Sequence, residues 1–418
     1  MGMCLRTLFI VCLSASFLGS SGQTSVSFAI QAHQDDWQLF MSARVIADMQ
    51  AGAKMVFITL TAGDESCGAC SYGGGGPFFM GREKGSVYSA KFAADLTTGT
   101  APLDPPTATT VSINGHNITK YVYKNTVNYF LRLPDGNLNG AGFPNNNNQS
   151  LNKLRTGAIS SISTIGINDF PPLTPTATYT SWSDLTNTIR AIINAEKITG
   201  TQSWIHSAHT NTSTYNINDH SDHTNAGHAS LAAVASGMAW VGINGFMDYQ
   251  SSAYGANLSD NDHQNAAIVF GLEVLGMTES QYQNDFSSGH QGWLPVELFE
   301  VIRNPSGNAP FAPGETGEGH SDNNTEPGLA KIPMVISIAN PTTVNTDIML
   351  SISPYEPGEL VTSIYDATGK KVYELTTVIK NRDAVTLTLK KPVSAKGIYL
   401  VKNILNNKFI ETRKIVVE

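Results

Sequence analysis

Charge is scarce in this 418-residue chain: Asp, Glu, Lys and Arg make up 14% of it, and 34 acids outnumber 26 bases. A formal net charge of -8 excludes the basic footprint that nucleic-acid binding needs, and no polybasic run points to a membrane surface. Cysteine is scarcer, with four in all. Two of these, Cys4 and Cys12, fall in a segment where Arg6 is followed by LFIVCLSASFLG and the small residues Ser20, Ser21 and Gly22. That order reads as a cleaved secretory signal over residues 1–22. No other apolar run is long enough to span a bilayer. Cys67 and Cys70 remain, spaced CGAC, and in an exported chain a local loop disulfide is the first expectation. Thioredoxin-like chemistry would need the motif to open a helix, which ESCGACSYGGGG cannot form well, and two thiolates alone lack the other ligands of a zinc site.

What is present is an alternation of strand and helix signals. VSFAIQA reads as a strand, WQLFMSARVIADMQAGA as a helix and KMVFITLTAG as a buried central strand. A helix over REKGSVYSAKFAAD follows, then a hairpin in TATTVSINGHNITKYVY that turns at Asn114-Gly115. NNNNQSLNKL is an exposed loop or a helix entry. SWSDLTNTIRAIINAEK is an amphipathic helix with Leu185, Ile189, Ile192 and Ile193 inward. SWIHSAH is a strand, TNAGHASLAAVASGMAW a helix, and QNAAIVFGLEVLG a helix stopped at Gly276. These signals predict a Rossmann-like α/β domain over residues 23–305, with a mostly parallel sheet covered by helices. Residues 306–332, rich in Pro, Gly and Asn, form a linker. Residues 333–418 predict a small all-β sandwich without His or Cys.

Two clusters carry the chemistry. AHQDD places His33, Asp35 and Asp36 just beyond the first strand, where open α/β sheets bind ligands. Histidine and carboxylate there suit a catalytic zinc, although both aspartates could instead cap the following helix. NDHSDHTNAGH adds His220, Asp222, His223 and His228 at another strand-to-helix junction, in a chain with only ten histidines. Two such clusters at corresponding strand ends predict a metal site. His206 and His209 are expected to support it, His228 to face away, and His263 and His290 to lie in loops. HSDNNTEPG falls in the linker.

AHQDD and HSDH resemble the AHPDDE and HPDH motifs of the PIG-L/LmbE zinc-dependent N-deacetylases, which remove acetyl groups from N-acetylglucosamine-containing compounds. The resemblance covers roughly residues 26–300 as an order of features: strand and AHxDD, strand and TAGDE, a helix with an arginine, FLRLPDG, the helix over 183–197, then strand and HSDH. It implies His33, Asp36 and His223 as Zn2+ ligands and Asp35 as general base. His220 would stabilise the tetrahedral intermediate or protonate the leaving amine, with Asp222 orienting it. Arg82 and Asp135 fall where the family contacts the sugar; their plain readings are a surface charge and a Pro-Asp-Gly turn. Gln34 stands where the motif has proline and Trp37 where it has glutamate, so Trp37 either stacks on a sugar ring or packs against the helix.

NPTTVNTDIMLSI, IYDATGKKVYEL, GIYLVKN and KFIETRKIVVE resemble the C-terminal sorting domain of type IX secretion cargo. The resemblance implies the type IX machinery as partner and a secreted or outer-membrane surface location. The expectation is therefore an exported zinc hydrolase that removes an N-acetyl group from an amino sugar or glycoconjugate, with an N-acetylated sugar or glycan as substrate. The rivals are a zinc amidase on another amide, of which the lack of HExxH removes only one class, and a glycan-binding protein without turnover.

Overall fold

The computed structural model describes residues 25–64, 78–165, 177–235, 237–282, 288–304, 335–338, 342–353, 357–368, 370–380, 385–406 and 409–418. The expected signal (1–22), Cys67 and Cys70, and the expected linker (306–332) lie outside the described residues.

In chain order, the first domain runs β1 (Ser25–Gln31), α1 (Asp36–Phe40), α2 (Ser42–Gln50), β2 (Ala53–Thr61), α3 (Phe78–Thr98), β3 (Thr109–Ile113), β4 (His116–Tyr123) and β5 (Thr126–Leu133). It continues with α4 (Leu151–Thr156), β6 (Ile162–Ser163), β7 (Thr178–Tyr179), α5 (Trp182–Glu196), β8 (Ser203–Ala208), α6 (Ser221–Ala235), β9 (Val241–Phe246), α7 (Asp260–Glu279), α8 (Ser288–Trp293) and β10 (Phe299–Arg303). Eight strands form one sheet in the order β10-β9-β8-β1-β2-β5-β4-β3. Its centre, β9-β8-β1-β2-β5, is parallel, and antiparallel strands flank it. The α/β expectation holds.

Alternation along the central strands explains why helices cover both faces. Phe28 and Ile30 of β1, with Val56 and Ile58 of β2, pack with Leu185, Ile189, Ile192 and Ile193 of α5 and Ala226 and Ala229 of α6. Ala29, Met55 and Phe57 point the other way, toward Val45 and Met49 of α2, Ala90 and Ala94 of α3, and Val269 and Phe270 of α7. Each strand is therefore apolar on both faces, as a central parallel strand must be. The chain leaves β1 toward β2 on one side, while β8 lies on the other. This reversal opens a crevice at the carboxyl ends of β1 and β8.

Several local expectations change. The helix expected over WQLFMSARVIADMQAGA is two, broken at Met41 (φ -132°). The Glu297 carboxylate accepts Ala43 N–H (2.8 Å) and Arg44 N–H (3.0 Å), so the first turn of α2 is satisfied from about 250 residues away. Helix α7 does not stop at Gly276 but runs to Glu279. A Cβ at Gly276 would sit 2.2 Å from the Gly85 nitrogen, so this glycine serves the crossing of α3 and α7 and not a helix end. His263 lies in α7 and His290 in α8, not in loops.

The C-terminal strands are β11 (Val335–Ile338), β12 (Ile348–Ser353), β13 (Gly358–Tyr365), β14 (Lys371–Ile379), β15 (Val385–Leu389), β16 (Gly397–Leu405) and β17 (Phe409–Val417). They make two antiparallel sheets, β11-β12-β15 and β14-β13-β16-β17. Leu350 and Leu389 of one sheet share a core with Leu360, Ile364, Val401 and Ile415 of the other, which is the expected sandwich.

Candidate metal centre

The loop after β1 and the segment leading into α6 meet in the crevice. His33 Nδ1 lies 3.1 Å from His223 Nε2 and 3.4 Å from Asp36 Oδ1, and His223 Nε2 lies 3.3 Å from Asp36 Oδ1. All three residues are buried. Three donors about 2.1 Å from a tetrahedral cation stand about 3.4 Å apart, so this triangle has the dimensions of a zinc face.

For Asp36 and His223, surrounding hydrogen bonds leave one lone pair of the donor aimed inward. Asp36 Oδ2 accepts Ala32 N–H (2.8 Å) and His33 N–H (3.0 Å), which leaves Oδ1 for the centre. His223 Nδ1 donates to Asp219 Oδ1 (3.0 Å) and has Asp248 Oδ2 at 3.3 Å, which leaves Nε2. His33 turns Nδ1 toward the centre, while its Nε2 makes no hydrogen bond and faces the carboxylates of Asp135 (3.7 Å) and Asp222 (3.9 Å). The donor set and its supports fit a divalent cation of the zinc type.

The acidic groups around His223 favour its protonated ring. Burial alone would lower the His223 pKa, yet Asp36 and Asp219 raise it well above the usual histidine value. Asp36 is held well below the carboxylate range by His223 and His33 in spite of its burial. A cation would displace the ring proton, so its affinity should weaken as pH falls.

A looser set, His33, Asp135, His220 and Asp222, surrounds the other nitrogen of His33. Its donors stand 3.6 to 3.9 Å apart, wider than the first triangle. His220 Nδ1 accepts the Asp222 backbone N–H (3.2 Å), so in the neutral ring the proton sits on Nε2, 3.6 Å from Asp135 Oδ1. Burial, then the neighbouring His33 and His223 charges, push the His220 pKa far down and keep it neutral. Asp222 is the orienting partner that the resemblance implies for His220. It meets His220 through its backbone, while its carboxylate accepts Gly136 N–H (2.7 Å) and faces His33. Burial, then Asp135, raise the Asp222 pKa to about 7.

Neither aspartate caps α1: Asp35 is the N-cap residue, and its side chain makes no capping bond. It instead accepts Arg82 Nη2–H, while Arg82 Nη1 donates to the Gly63 carbonyl (3.0 Å). Arg82 is therefore a buried partner of Asp35 and not a surface charge. Gly63 (φ +54°) allows this approach, since a Cβ there would lie 2.3 Å from Nη1. The next residue of α3, Glu83, grips Arg132 of β5 at 2.6 and 2.7 Å, which fixes the helix against the sheet. Asp135 accepts Asn137 N–H (2.7 Å), as its turn reading expects, and its carboxylate also stands 3.7 Å from His33 Nε2 and 3.6 Å from His220 Nε2.

Trp37 does not reach the crevice. It is fully buried and its ring packs on Phe57 (4.9 Å), which corrects the sugar-stacking reading. His206 is buried and held by Asp48 (2.9 Å), while His209 stacks on Tyr215 (4.2 Å).

Sequence reasoning missed Asp64, Asp219, Asp248 and Tyr249. Asp64 Oδ1 accepts Asp135 N–H (2.9 Å), and burial raises its pKa to about 6. Asp219 stands four residues before His223, one helical turn away, and that spacing was a usable signal. Asp248 and Tyr249 follow β9, whose VGINGF is too short and glycine-rich to register as a strand.

Residues 339–418 match the family model described as a secretion system C-terminal sorting domain. No curated protein matches the chain. Solved structures similar to part of it include dimeric latent PorU from Porphyromonas gingivalis, at 21% identity over 22% of this chain and 10% of that one (TM-score 0.17). Another is CopC from Methylosinus trichosporium OB3b, at 26% identity over 20% of this chain and 85% of that one (TM-score 0.15). The chain thus spans about a tenth of the PorU chain, and likenesses of this size carry no inference about activity. The C-terminal sandwich is a type IX secretion sorting domain, and the chain is cargo exported by that route to the cell surface or the medium.

Proposed function

We propose that the α/β domain is a zinc-dependent amide hydrolase that removes the N-acetyl group of an amino sugar or glycoconjugate. The observation that carries this reading is the inward convergence of His33 Nδ1, Asp36 Oδ1 and His223 Nε2, with an Arg82-held Asp35 next to them. The resemblance of AHQDD and HSDH to the PIG-L/LmbE motifs supplies the reaction class, and the exported address favours an external glycan.

His33, Asp36 and His223 would hold the metal. Zinc bound there supplies Lewis-acid polarisation of the acyl carbonyl and brings the pKa of a water toward about 7. Asp35 takes the remaining proton as water adds to the acyl carbon, and Arg82 keeps the carboxylate in place for that transfer. Neutral His220 presents Nε2–H to the oxygen that gains charge. The C–N bond then breaks, and the proton held on Asp35 passes to the departing amine, which leaves acetate and a free amino sugar.

The test is acetate release from tri-N-acetylchitotriose by the full chain, before and after chelation and after zinc is restored. Release that is lost with chelator and regained with zinc supports the proposal. Binding of the sugar without release would favour a glycan-binding protein, and release only from a non-sugar amide would move the substrate class.

A further inference from the structure

Tyr249 opens a short 3-10 helix just past β9, at the same sheet end as the metal-binding candidates. Its ring stands edge-on to His223 (centroids 5.0 Å apart, 79°) and stacks flat on Trp293 (4.7 Å, 6°). Phe40 joins His223 and Trp293 to close this wall. The backbone is pinned at both groups: Tyr249 N–H donates to Asp219, the carboxylate that also holds His223, and Trp293 Nε1–H donates to the Tyr249 carbonyl (2.9 Å). The ring is half-buried, and its hydroxyl has no hydrogen-bond partner among the described residues. A rigid phenol in this position, backed by an aromatic wall and with its polar tip unspent, is a recognition element more than a packing one.

We propose that Tyr249 is a substrate-binding residue that donates its O–H to a sugar hydroxyl next to the amide, an assignment that rests on the amino-sugar deacetylase reading. Because the ring touches the His223 ring, substrate selection and metal geometry share one wall.

The test compares wild type with Tyr249→Phe, which keeps the stack and removes only the hydroxyl. For tri-N-acetylchitotriose the expected change is a KM rise of about fivefold, the size of one neutral hydrogen bond, with kcat within about twofold. Kd for the same sugar, measured by calorimetry in an Asp35→Asn background, should rise equally. Zinc content and Tm should not move. Acetate release from 4-nitroacetanilide, which has no sugar hydroxyl, should be unaffected. Unchanged KM and Kd in an active protein would overturn the tyrosine assignment and leave the deacetylase reading standing. A wild-type protein that releases no acetate from the sugar would overturn the deacetylase reading and this assignment with it.

Discussion

Replacing Asp36 with asparagine isolates the metal centre from the fold. The amide oxygen can still accept the Ala32 and His33 N–H groups that now bond Oδ2 at 2.8 and 3.0 Å. The NH2 group then takes the place of Oδ1, 3.4 Å from His33 Nδ1 and 3.3 Å from His223 Nε2. It offers hydrogens to both rings where a cation needs a lone pair, so Asp36→Asn should fold without binding zinc. Zinc at a hundred times its Kd stabilises the wild type by about 2.7 kcal/mol. In a domain of this size that is a Tm rise of about 4–5 °C. Differential scanning calorimetry of chelator-stripped protein, with and without zinc, reads the difference directly. Wild type should show the rise and Asp36→Asn none, while Asp222→Asn should retain it. A full zinc-dependent rise in Asp36→Asn, or its loss in Asp222→Asn alone, would place the cation in the looser set around His33 Nε2 and refute the assignment.

Arg82→Met should lower kcat by about a hundredfold, the cost of a misplaced base, while the metal content stays at the wild-type level; an unchanged kcat would mean that Asp35 needs no partner. Trp37→Ala should cost about 3–5 kcal/mol in urea melts, whereas Trp37→Phe should leave KM for the sugar unchanged. A KM rise in a normally stable Trp37→Phe would return Trp37 to the substrate. Glu196 ends α5 and binds Lys54, Lys120 (2.9 Å) and the Tyr129 hydroxyl (2.5 Å) from three strands. Burial alone would raise its pKa, but Lys54, Tyr129 and Lys120 together bring it down to about 2. A folded-state value below the unfolded one stabilises the protein above about pH 4.5, and this contribution is lost as pH falls toward 2. Wild type should therefore exceed Glu196→Gln in stability at pH 6 by a margin that closes through that window, and a margin independent of pH would contradict the clamp.

The readable parts of the sequence were those whose cause is local. Helix α5 shows its Ser181 cap and its Leu185, Ile189, Ile192 and Ile193 stripe within fifteen residues, and all four side chains are buried. Asn114-Gly115 sets the β3–β4 turn with positive φ at both positions, as its type requires. The two histidine clusters were legible because polar groups at strand ends are costly without a use. Partners that arrive from distant chain positions were hidden: Glu297 on α2, Asp248 against His223, Arg82 on Asp35. Trp37 shows the same limit in reverse. An aromatic residue beside a motif looks available to substrate until Phe57 of β2 is seen to cover it. Gly276 likewise reads as a helix stop until Gly85 of α3 is placed against it.

The central claim, a hydrolase that depends on Asp35 as proton acceptor, is tested most directly by acetate release from tri-N-acetylchitotriose by zinc-loaded wild type and Asp35→Asn, with bound zinc measured in the same samples. The account predicts equal zinc and a loss of rate of about a hundredfold or more in the variant. An Asp35→Asn protein that keeps its zinc and the full wild-type rate would contradict it.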